Sequence, residues 1–199
     1  MILYIFDFDD TIINNFLVDY HSFRFLTKKY KLRSLSKNEL MTLRKKGLLA
    51  EEIIQRLVKN EVNRYAIERK RCLTKKSIWK HAHLNRGVLK TLKSVKKENN
   101  RAIIISKKRR DLVKYIISML KISRYIDRVY SSNEKNVLIR RLMRKHNPEK
   151  IVFISDSEED LVQMRKLNIR IYCFYNHYKN KSKMNKLAKM ITSMDEILE

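Results

Sequence analysis

The sequence predicts an α/β protein in which a parallel β-sheet core is interrupted, after its first strand, by a long all-helical insert. Short apolar runs that end in polar residues alternate with segments whose apolar residues recur at helical spacing. Residues 16–85 break this alternation, because helical spacing continues through the whole segment. We therefore predict a core formed by residues 1–15 and 86–199, with residues 16–85 as the helical insert.

The predicted strands are continuous apolar runs. The first, Ile2–Phe6, is followed directly by an aspartate, and such an unbroken run is typical of a strand buried on both faces. Similar runs span residues 102–105, 151–154 and 169–174, and a shorter candidate lies at residues 128–130. Since helices separate these strands, we expect a parallel sheet, which binds ligands at the carboxyl ends of its strands.

Helical patterns lie between the later strands. Their apolar residues recur every three or four positions: Val88, Leu89, Leu92 and Val95, then Leu112, Val113, Ile116, Ile117 and Leu120, then Val137, Leu138 and Leu142. The basic run at residues 179–189 predicts a loop before a short final helix near residues 195–198.

Within the insert, several signals mark separate helices. Apolar residues at helical spacing occur over residues 16–23 and again over residues 49–57. Ser36, followed three positions later by Glu39, predicts a capping box at the start of another helix. Gly47 predicts the break between two helices.

Composition limits the class of protein. A chain of 199 residues is long enough for one core domain with an insert, and 44% hydrophobic residues argue against disorder. The apolar run at residues 1–6 is too short for a membrane span or the core of a signal peptide. The two cysteines cannot form a disulfide framework, so we expect an intracellular, cytoplasmic protein.

Positive charge is concentrated in the middle of the chain. The formal net charge is +25, yet the first 19 residues carry four acids and no Lys or Arg. Residues 20–101 carry 24 bases and 6 acids, and residues 102–199 carry 22 bases and 11 acids. Two interpretations stay open: the bases bind an anionic partner such as nucleic acid, or they reflect the lysine-rich composition typical of an AT-rich genome.

Carboxylates follow two of the predicted strands. Asp7 and Asp9 are two residues apart at the end of the first strand, so their side chains can face the same cavity. A second acidic segment, Ser155–Asp160, follows the strand at residues 151–154. Carboxylate oxygens with room for water and phosphate are the ligands that Mg²⁺ prefers. The sequence therefore predicts a Mg²⁺ site at this edge of the sheet.

The ordered set of motifs resembles the haloacid dehalogenase (HAD) superfamily of phosphohydrolases. Asp7–Thr11 is similar to its first motif, Ile103–Ser106 to its second, Lys135 to its third and Ile151–Asp160 to its fourth. The helical insert lies where this superfamily has a C1-type cap. The resemblance implies a HAD-like, Rossmann-like core with a helical cap, acting as a Mg²⁺-dependent phosphatase on a phosphorylated substrate.

The resemblance also implies roles for the acidic residues. Asp7 would attack phosphorus and form an aspartyl phosphate, and Asp9 would protonate the leaving group and then activate water. Asp7, Asp156 and the Asp9 carbonyl would hold the metal, with Asp160 either beside its water or orienting Lys135. Because an alkoxide needs a proton to leave and a halide does not, Asp9 favours phosphate ester cleavage over dehalogenation.

Other roles follow from the same resemblance. Ser106 and Lys135 would bind the phosphoryl oxygens, Thr11 would steady the turn that aims the acid, and Glu159 is a nearby substitute for Asp160. Two positions depart from the superfamily pattern. Ser155 replaces the usual glycine of the fourth motif, and Asn136 replaces the common proline after the third-motif lysine.

The basic residues suggest the substrate. The bases after the second motif are Lys107, Lys108, Arg109 and Arg110, and they would meet an anion, while Trp79 in the basic insert would stack on a base. Nucleotides or nucleic acid ends are the predicted substrates, and solvated helix faces are the competing explanation of the charge. Two other functions stay open: a weak or inactive HAD-fold protein that binds nucleic acid or a protein through its basic cap, and a phosphoryl-transferring mutase.

Overall fold

The computed structural model describes residues 1–58, 60–175 and 184–198. These residues fall into two compact units. The first unit, which we call the sheet unit, comprises residues 1–14 together with the described residues from 83 to the carboxyl end; the second, the helical unit, comprises residues 15–82. That the helical unit acts as a substrate-selecting cap stays a prediction.

The sheet unit is built on six parallel strands. In chain order the strands of the described residues are β1 (Ile2–Phe6), β2 (Ile13–Asn14), β3 (His83–Leu84), β4 (Arg101–Ser106), β5 (Arg128–Ser131), β6 (Lys150–Ser155), β7 (Arg170–Phe174) and β8 (Lys189–Ile191). The sheet order is β5-β4-β1-β6-β7-β8, and every neighbouring pair is parallel. The predicted α/β class is confirmed.

Eight α-helices lie within the described parts of the chain. They are α1 (Phe16–Lys29), α2 (Lys37–Lys45), α3 (Ala50–Leu57), α4 (Val62–Thr74), α5 (Val88–Lys97), α6 (Arg110–Met119), α7 (Lys135–His146) and α8 (Glu158–Met164). Short 3-10 helices span Lys76–His81, Ser123–Tyr125 and Met194–Leu198. None of the helices described is long and apolar enough to cross a membrane.

The core of the sheet unit contains the residues whose spacing predicted its helices and strands. Leu3 and Ile5 of β1 and Phe153 of β6 are fully buried between helices. On α5, Val88, Leu92 and Val95 are buried at helical spacing, whereas Leu89 is exposed. Each fully buried aliphatic or aromatic side chain contributes roughly 1.5–3 kcal/mol of transfer free energy.

The helical unit has its own apolar core, which includes Phe23, Leu40 and Ile53. Ser36 caps α2 as predicted, because its hydroxyl accepts a hydrogen bond from the Glu39 backbone N–H at 3.1 Å. The second half of the predicted capping box is absent, since the Glu39 carboxylate instead pairs with Arg33.

Three short strands were not predicted from the sequence. The pair β2 and β3 has two residues in each strand, and β8 has three, so none of them carries a readable periodicity. Within the predicted loop of residues 179–189, residues 184–185 are helical and Lys189 is the first residue of β8. The rest of that predicted loop, residues 179–183, lies outside the described residues.

The strand order brings the predicted catalytic segments together. β1 lies between β4 and β6, and Phe6 is in register with Ile104 on one side and with Ile154 on the other. Parallel strands end at the same edge of the sheet, so the residues that follow β1, β4 and β6 meet there. The candidate site is built from these three strand ends.

Candidate active site

Asp7 lies at the centre of the site. Its backbone N–H donates to the Ile154 carbonyl at 2.8 Å, which extends the pairing of β1 with β6 by one residue and fixes where the side chain leaves the sheet. The carboxylate is buried, and Lys135 Nζ lies 2.5 Å from Asp7 Oδ1. The same ammonium lies 2.5 Å from Asp160 Oδ2. One lysine therefore bridges the first and fourth motifs.

Burial and neighbouring charge shift the protonation of this pair. Burial raises the pKa of Asp7 to about 7; the charges of Asp156 and Asp160 add to the rise, and the Lys135 ammonium opposes it. Burial acts to lower the pKa of Lys135, but Asp7 and Asp160 outweigh it and the net pKa is raised. Lys135 thus stays charged against an Asp7 carboxyl that titrates near neutral pH in the absence of a cation.

Asp156 follows β6 and is fixed by Thr11. The Asp156 backbone N–H donates to Thr11 Oγ1 at 3.0 Å, and the Thr11 hydroxyl donates to Asp156 Oδ1 at 3.2 Å. Thr11 is fully buried, and its own carbonyl accepts from Asn85 Nδ2 at 3.0 Å. The Thr11 hydroxyl therefore ties the turn after β1 to the end of β6, and its predicted part in steadying that turn for catalysis stays a prediction.

Asp160 is held by hydroxyl groups as well as by Lys135. It lies in the first turn of α8, where the Ser157 side chain is the N-cap and accepts from the Asp160 backbone N–H. Ser155 Oγ donates to Asp160 Oδ2 at 3.1 Å and accepts from the Ser157 N–H at 3.1 Å. The serine that replaces the usual glycine is therefore buried with its hydroxyl in use. Whether Asp160 orients Lys135 or a metal-bound water in catalysis stays a prediction.

Ser106 and Asp9 lie at the other predicted positions of the site. Ser106 is the last residue of β4, is buried, and accepts a hydrogen bond from the Lys108 backbone N–H at 3.1 Å. The Lys108 ammonium lies 2.9 Å from Asp9 Oδ2, and both side chains are partly exposed. The segment after β4 thus supplies a cation to the predicted general acid.

The other basic residues of this segment point elsewhere. Lys107 pairs with the exposed Glu159 at 2.9 Å, so Glu159 does not take the place of Asp160. Arg109 pairs with Asp111 at 2.8 Å. Arg110 lines a separate cavity. Of the four bases predicted to bind substrate, Lys108 is the one that contacts a predicted catalytic side chain.

Trp79 does not have the placement that base stacking requires. It lies in the 3-10 helix of the helical unit, where its side chain is 1% exposed. Its indole N–H donates to the Leu73 carbonyl at 2.9 Å. A ring buried in this way has no open face for a substrate base, so we assign Trp79 to the packing of the helical unit.

Two contributors to the site, both from the end of β5, were not predicted from the sequence. Ser131, the last residue of β5, donates from Oγ to the Lys108 carbonyl at 2.7 Å, and the next residue, Ser132, donates its N–H to the Ser106 carbonyl at 2.9 Å. Both contacts fix the loop that carries Lys108. The signal was present, because two serines follow the predicted strand at residues 128–130 just as polar residues follow the other strands.

The residues present fit a hard divalent cation. Asp7 and Asp156 are buried carboxylates close enough for Asp156 to raise the pKa of Asp7, and a cation between them would relieve that repulsion. Within residues 1–58, 60–175 and 184–198 there is no cluster of three His, Cys, Asp or Glu side chains suited to a metal. Two carboxylates, a backbone carbonyl and several waters are the donor set that Mg²⁺ accepts.

The whole chain resembles known proteins in fold. A family model described as haloacid dehalogenase-like hydrolase matches residues 4–174. Similar solved structures include a haloacid dehalogenase-like hydrolase from Streptococcus pneumoniae, which is 16% identical with a TM-score of 0.76 and aligns over 98% of this chain and 96% of its own. No curated protein matches the chain significantly.

Two further structures have the same fold. A predicted phosphoglycolate phosphatase from Haemophilus somnus is 17% identical, with a TM-score of 0.73 over 98% of this chain and 96% of its own. A candidate β-phosphoglucomutase from Thermotoga maritima is 18% identical, with a TM-score of 0.73 over 100% of this chain and 97% of its own. Because the matching family model spans every predicted motif from Asp7 to Asp160, the predicted superfamily and enzyme class are confirmed and this chain belongs to the haloacid dehalogenase-like hydrolases.

Proposed function

We propose that this hydrolase is a Mg²⁺-dependent phosphatase that cleaves phosphomonoesters through an aspartyl phosphate on Asp7. The observation that carries the proposal is the Lys135 ammonium held 2.5 Å from both Asp7 and Asp160 in a buried site. A fixed cation beside a buried nucleophile is suited to a transition state that gathers negative charge. Dehalogenation would not need Asp9 as a general acid, because a halide leaves without a proton.

In the first step, an Asp7 carboxylate oxygen forms a bond to phosphorus while the bond to the ester oxygen breaks. Asp9 gives its proton to the leaving alkoxide. In the second step, water attacks phosphorus, loses a proton to Asp9, and releases phosphate and free Asp7. Lys108, 2.9 Å from Asp9 Oδ2, holds the acid in place between the two steps.

The remaining groups bind and position the phosphoryl group. Ser106 and Lys135 donate hydrogen bonds to its oxygens, and Asp160 with Ser155 orients the lysine. Asp7, Asp156 and the Asp9 carbonyl would hold Mg²⁺, which when bound offsets the charge of the phosphoryl oxygens. Thr11 fixes Asp156 for this purpose.

As substrates we propose nucleotides or phosphorylated nucleic acid ends. The support is the charge of the chain, +25 in total with 46 Lys and Arg, because phosphate-rich substrates are attracted by such a field. Small phosphate esters are the alternative substrates to test, because similar structures are described as a predicted phosphoglycolate phosphatase and a candidate β-phosphoglucomutase. Transfer of the phosphoryl group to a second substrate would appear as isomerisation without release of phosphate.

The test is hydrolysis of an aryl phosphate by the purified protein with Mg²⁺. Asp7→Asn keeps the shape of the side chain but removes the nucleophile, and we expect kcat to fall by about 1000-fold or more. The matched control is Asp10→Asn, an identical change three residues away at a position with φ of 54° that asparagine tolerates. Full activity of Asp7→Asn, or of the wild type in chelator, would refute the mechanism.

A further inference from the structure

A second cavity in the sheet unit lies away from the predicted catalytic residues. Its volume is about 480 Å³, within the range of small-molecule sites, and it lies beside the edge strand β5. Arg101 and Arg128, the first residues of β4 and β5, line it. Asp7 and Ser106, by contrast, lie at the carboxyl ends of their strands.

The lining of this cavity follows from the alternation of side chains along two paired strands. Arg101 and Ile103 on β4 point to one face of the sheet, and Arg128 and Tyr130 on β5 share that face, because Ile103 is in register with Arg128. On this face the two strands thus carry two guanidinium groups, one aliphatic side chain and one aromatic side chain. All four of these residues line the cavity.

Two helices add further positive charge. Arg110 is the first residue of α6, and Lys145 and His146 are the last two of α7. The Arg101 guanidinium also lies 3.4 Å from His146 Nδ1. Five basic side chains from four elements therefore converge on one concave surface.

The negative charge at this cavity is already engaged. Asp127 is the one acid in the lining, and its Oδ2 accepts from the Ala102 backbone N–H at 2.8 Å, while its Oδ1 lies 3.9 Å from Lys96. No described carboxylate forms an ion pair with Arg110, Arg128 or Lys145. The lining therefore has four formal positive charges and one carboxylate, that of Asp127, so the concave surface carries a net positive charge.

We propose that this cavity binds a small ligand that carries a diphosphate or triphosphate group. Guanidinium groups bind phosphate oxygens through paired hydrogen bonds, and three arginines offer such pairs. The volume admits a ligand of nucleotide size, with Tyr130 and Ile103 as the apolar part of the wall. This site does not depend on the proposed phosphatase mechanism, since the two share no residue of the catalytic set.

The experiment is calorimetric titration of the full chain with inorganic tripolyphosphate in a metal-free buffer that contains chelator. Arg101→Gln with Arg128→Gln removes two cavity charges, and we expect the affinity to fall at least about tenfold. The matched control, Lys114→Gln with Arg140→Gln, removes two exposed charges of α6 and α7 outside the cavity, and its affinity should change by less than about twofold.

Four outcomes would overturn the proposal. Wild-type protein that fails to bind tripolyphosphate has no such site. Equal losses in the cavity and control variants would assign the binding to general charge. A loss confined to Lys135→Ala would assign it to the catalytic site. The cavity variant should also keep its aryl phosphatase activity, which shows that it folds and that the two sites are separate. If activity and binding disappear together while the variant keeps the circular dichroism spectrum of the wild type, separate sites are ruled out.

Discussion

At the scale of single residues, the site depends on how one lysine is shared. Lys135 contacts Asp7 and Asp160 at equal distance, and Ser155 contacts the same Asp160 oxygen. The position of the ammonium is therefore set by the residue after β1, the last residue of β6 and a residue of α8. Buried hydrogen bonds to charged groups are each worth about 1.5–3 kcal/mol. The hydroxyl of Ser155 thus gives Asp160 a hydrogen bond that a glycine at this position could not provide.

The raised pKa of Asp7 predicts a cost to stability that depends on pH. A carboxyl whose pKa is higher in the folded state than in the unfolded state destabilises the fold as it ionises, here between its usual value of 3.8 and about 7. Without metal, Asp7→Asn should therefore become more stable relative to wild type by about 2.6 kcal/mol between about pH 5 and about pH 8.

This prediction is measured by urea unfolding of both proteins in chelator at the two pH values. Asp10→Asn is again the control, because it makes the same chemical change at a partly exposed position. A difference between Asp7→Asn and wild type that stays constant with pH would contradict the raised pKa. Ionisation of Asp7 would then cost the folded state no more than it costs the unfolded state.

At the scale of elements, Gly87, the residue before α5, packs against the start of the carboxyl-terminal 3-10 helix. Its φ is 77°, and a Cβ at this position would lie 2.5 Å from Asp195 Oδ1 and 2.8 Å from the Asp195 backbone nitrogen. Gly47 has a similar φ of 80°, yet nothing lies within 4 Å of its added Cβ. A side chain at Gly47 would therefore meet backbone strain alone, whereas a side chain at Gly87 would meet backbone strain and steric overlap.

Alanine at these two positions should have different effects. Gly47→Ala costs the backbone term alone, about 1 kcal/mol, whereas Gly87→Ala adds overpacking of about 1–3 kcal/mol. Urea unfolding at neutral pH measures the free energy of unfolding of each variant relative to wild type. Equal costs would mean that the Asp195 segment can move away from α5 without loss.

The same scale shows what the sequence could predict. Long apolar runs and helical spacing predicted β1, β4, β6 and most helices, because burial on one face leaves a period that can be read. The strand β8 could not be predicted, since three residues within a basic segment leave no period. For the site, residue order predicted which strand ends meet, but not that Arg110 lines a different cavity or that Trp79 is buried. The positions of these two side chains depend on tertiary packing, which cannot be predicted from the spacing of residues in the sequence.

At the scale of the whole molecule, the charge is divided unequally. Residues 15–82 carry 18 Lys and Arg against 6 Asp and Glu, which leaves +12. Each of those six acids is engaged: Asp19 with Arg44 and Arg69, Glu39 with Arg33, Glu51 with Lys70, Glu52 with the Leu49 backbone N–H, Glu61 with Arg64, and Glu68 with Lys29 and Arg71. The acids of the helical unit thus serve its own structure, and the segment keeps a formal excess of positive charge.

This excess predicts how salt should affect different substrates. If phosphorylated nucleic acid ends are substrates, the basic surface displaces the counterions condensed on their backbone phosphates, and kcat/KM for a 5′-phosphorylated oligonucleotide should fall at least about tenfold between about 50 mM and about 200 mM salt. An aryl phosphate has a single phosphate, so its kcat/KM should change by less than about twofold. Both are measured as phosphate release, with sugar phosphates and phosphoglycolate as further small substrates. If the oligonucleotide is no more salt-sensitive than the aryl phosphate, or is not hydrolysed at all, the lysines reflect composition and the substrate is small.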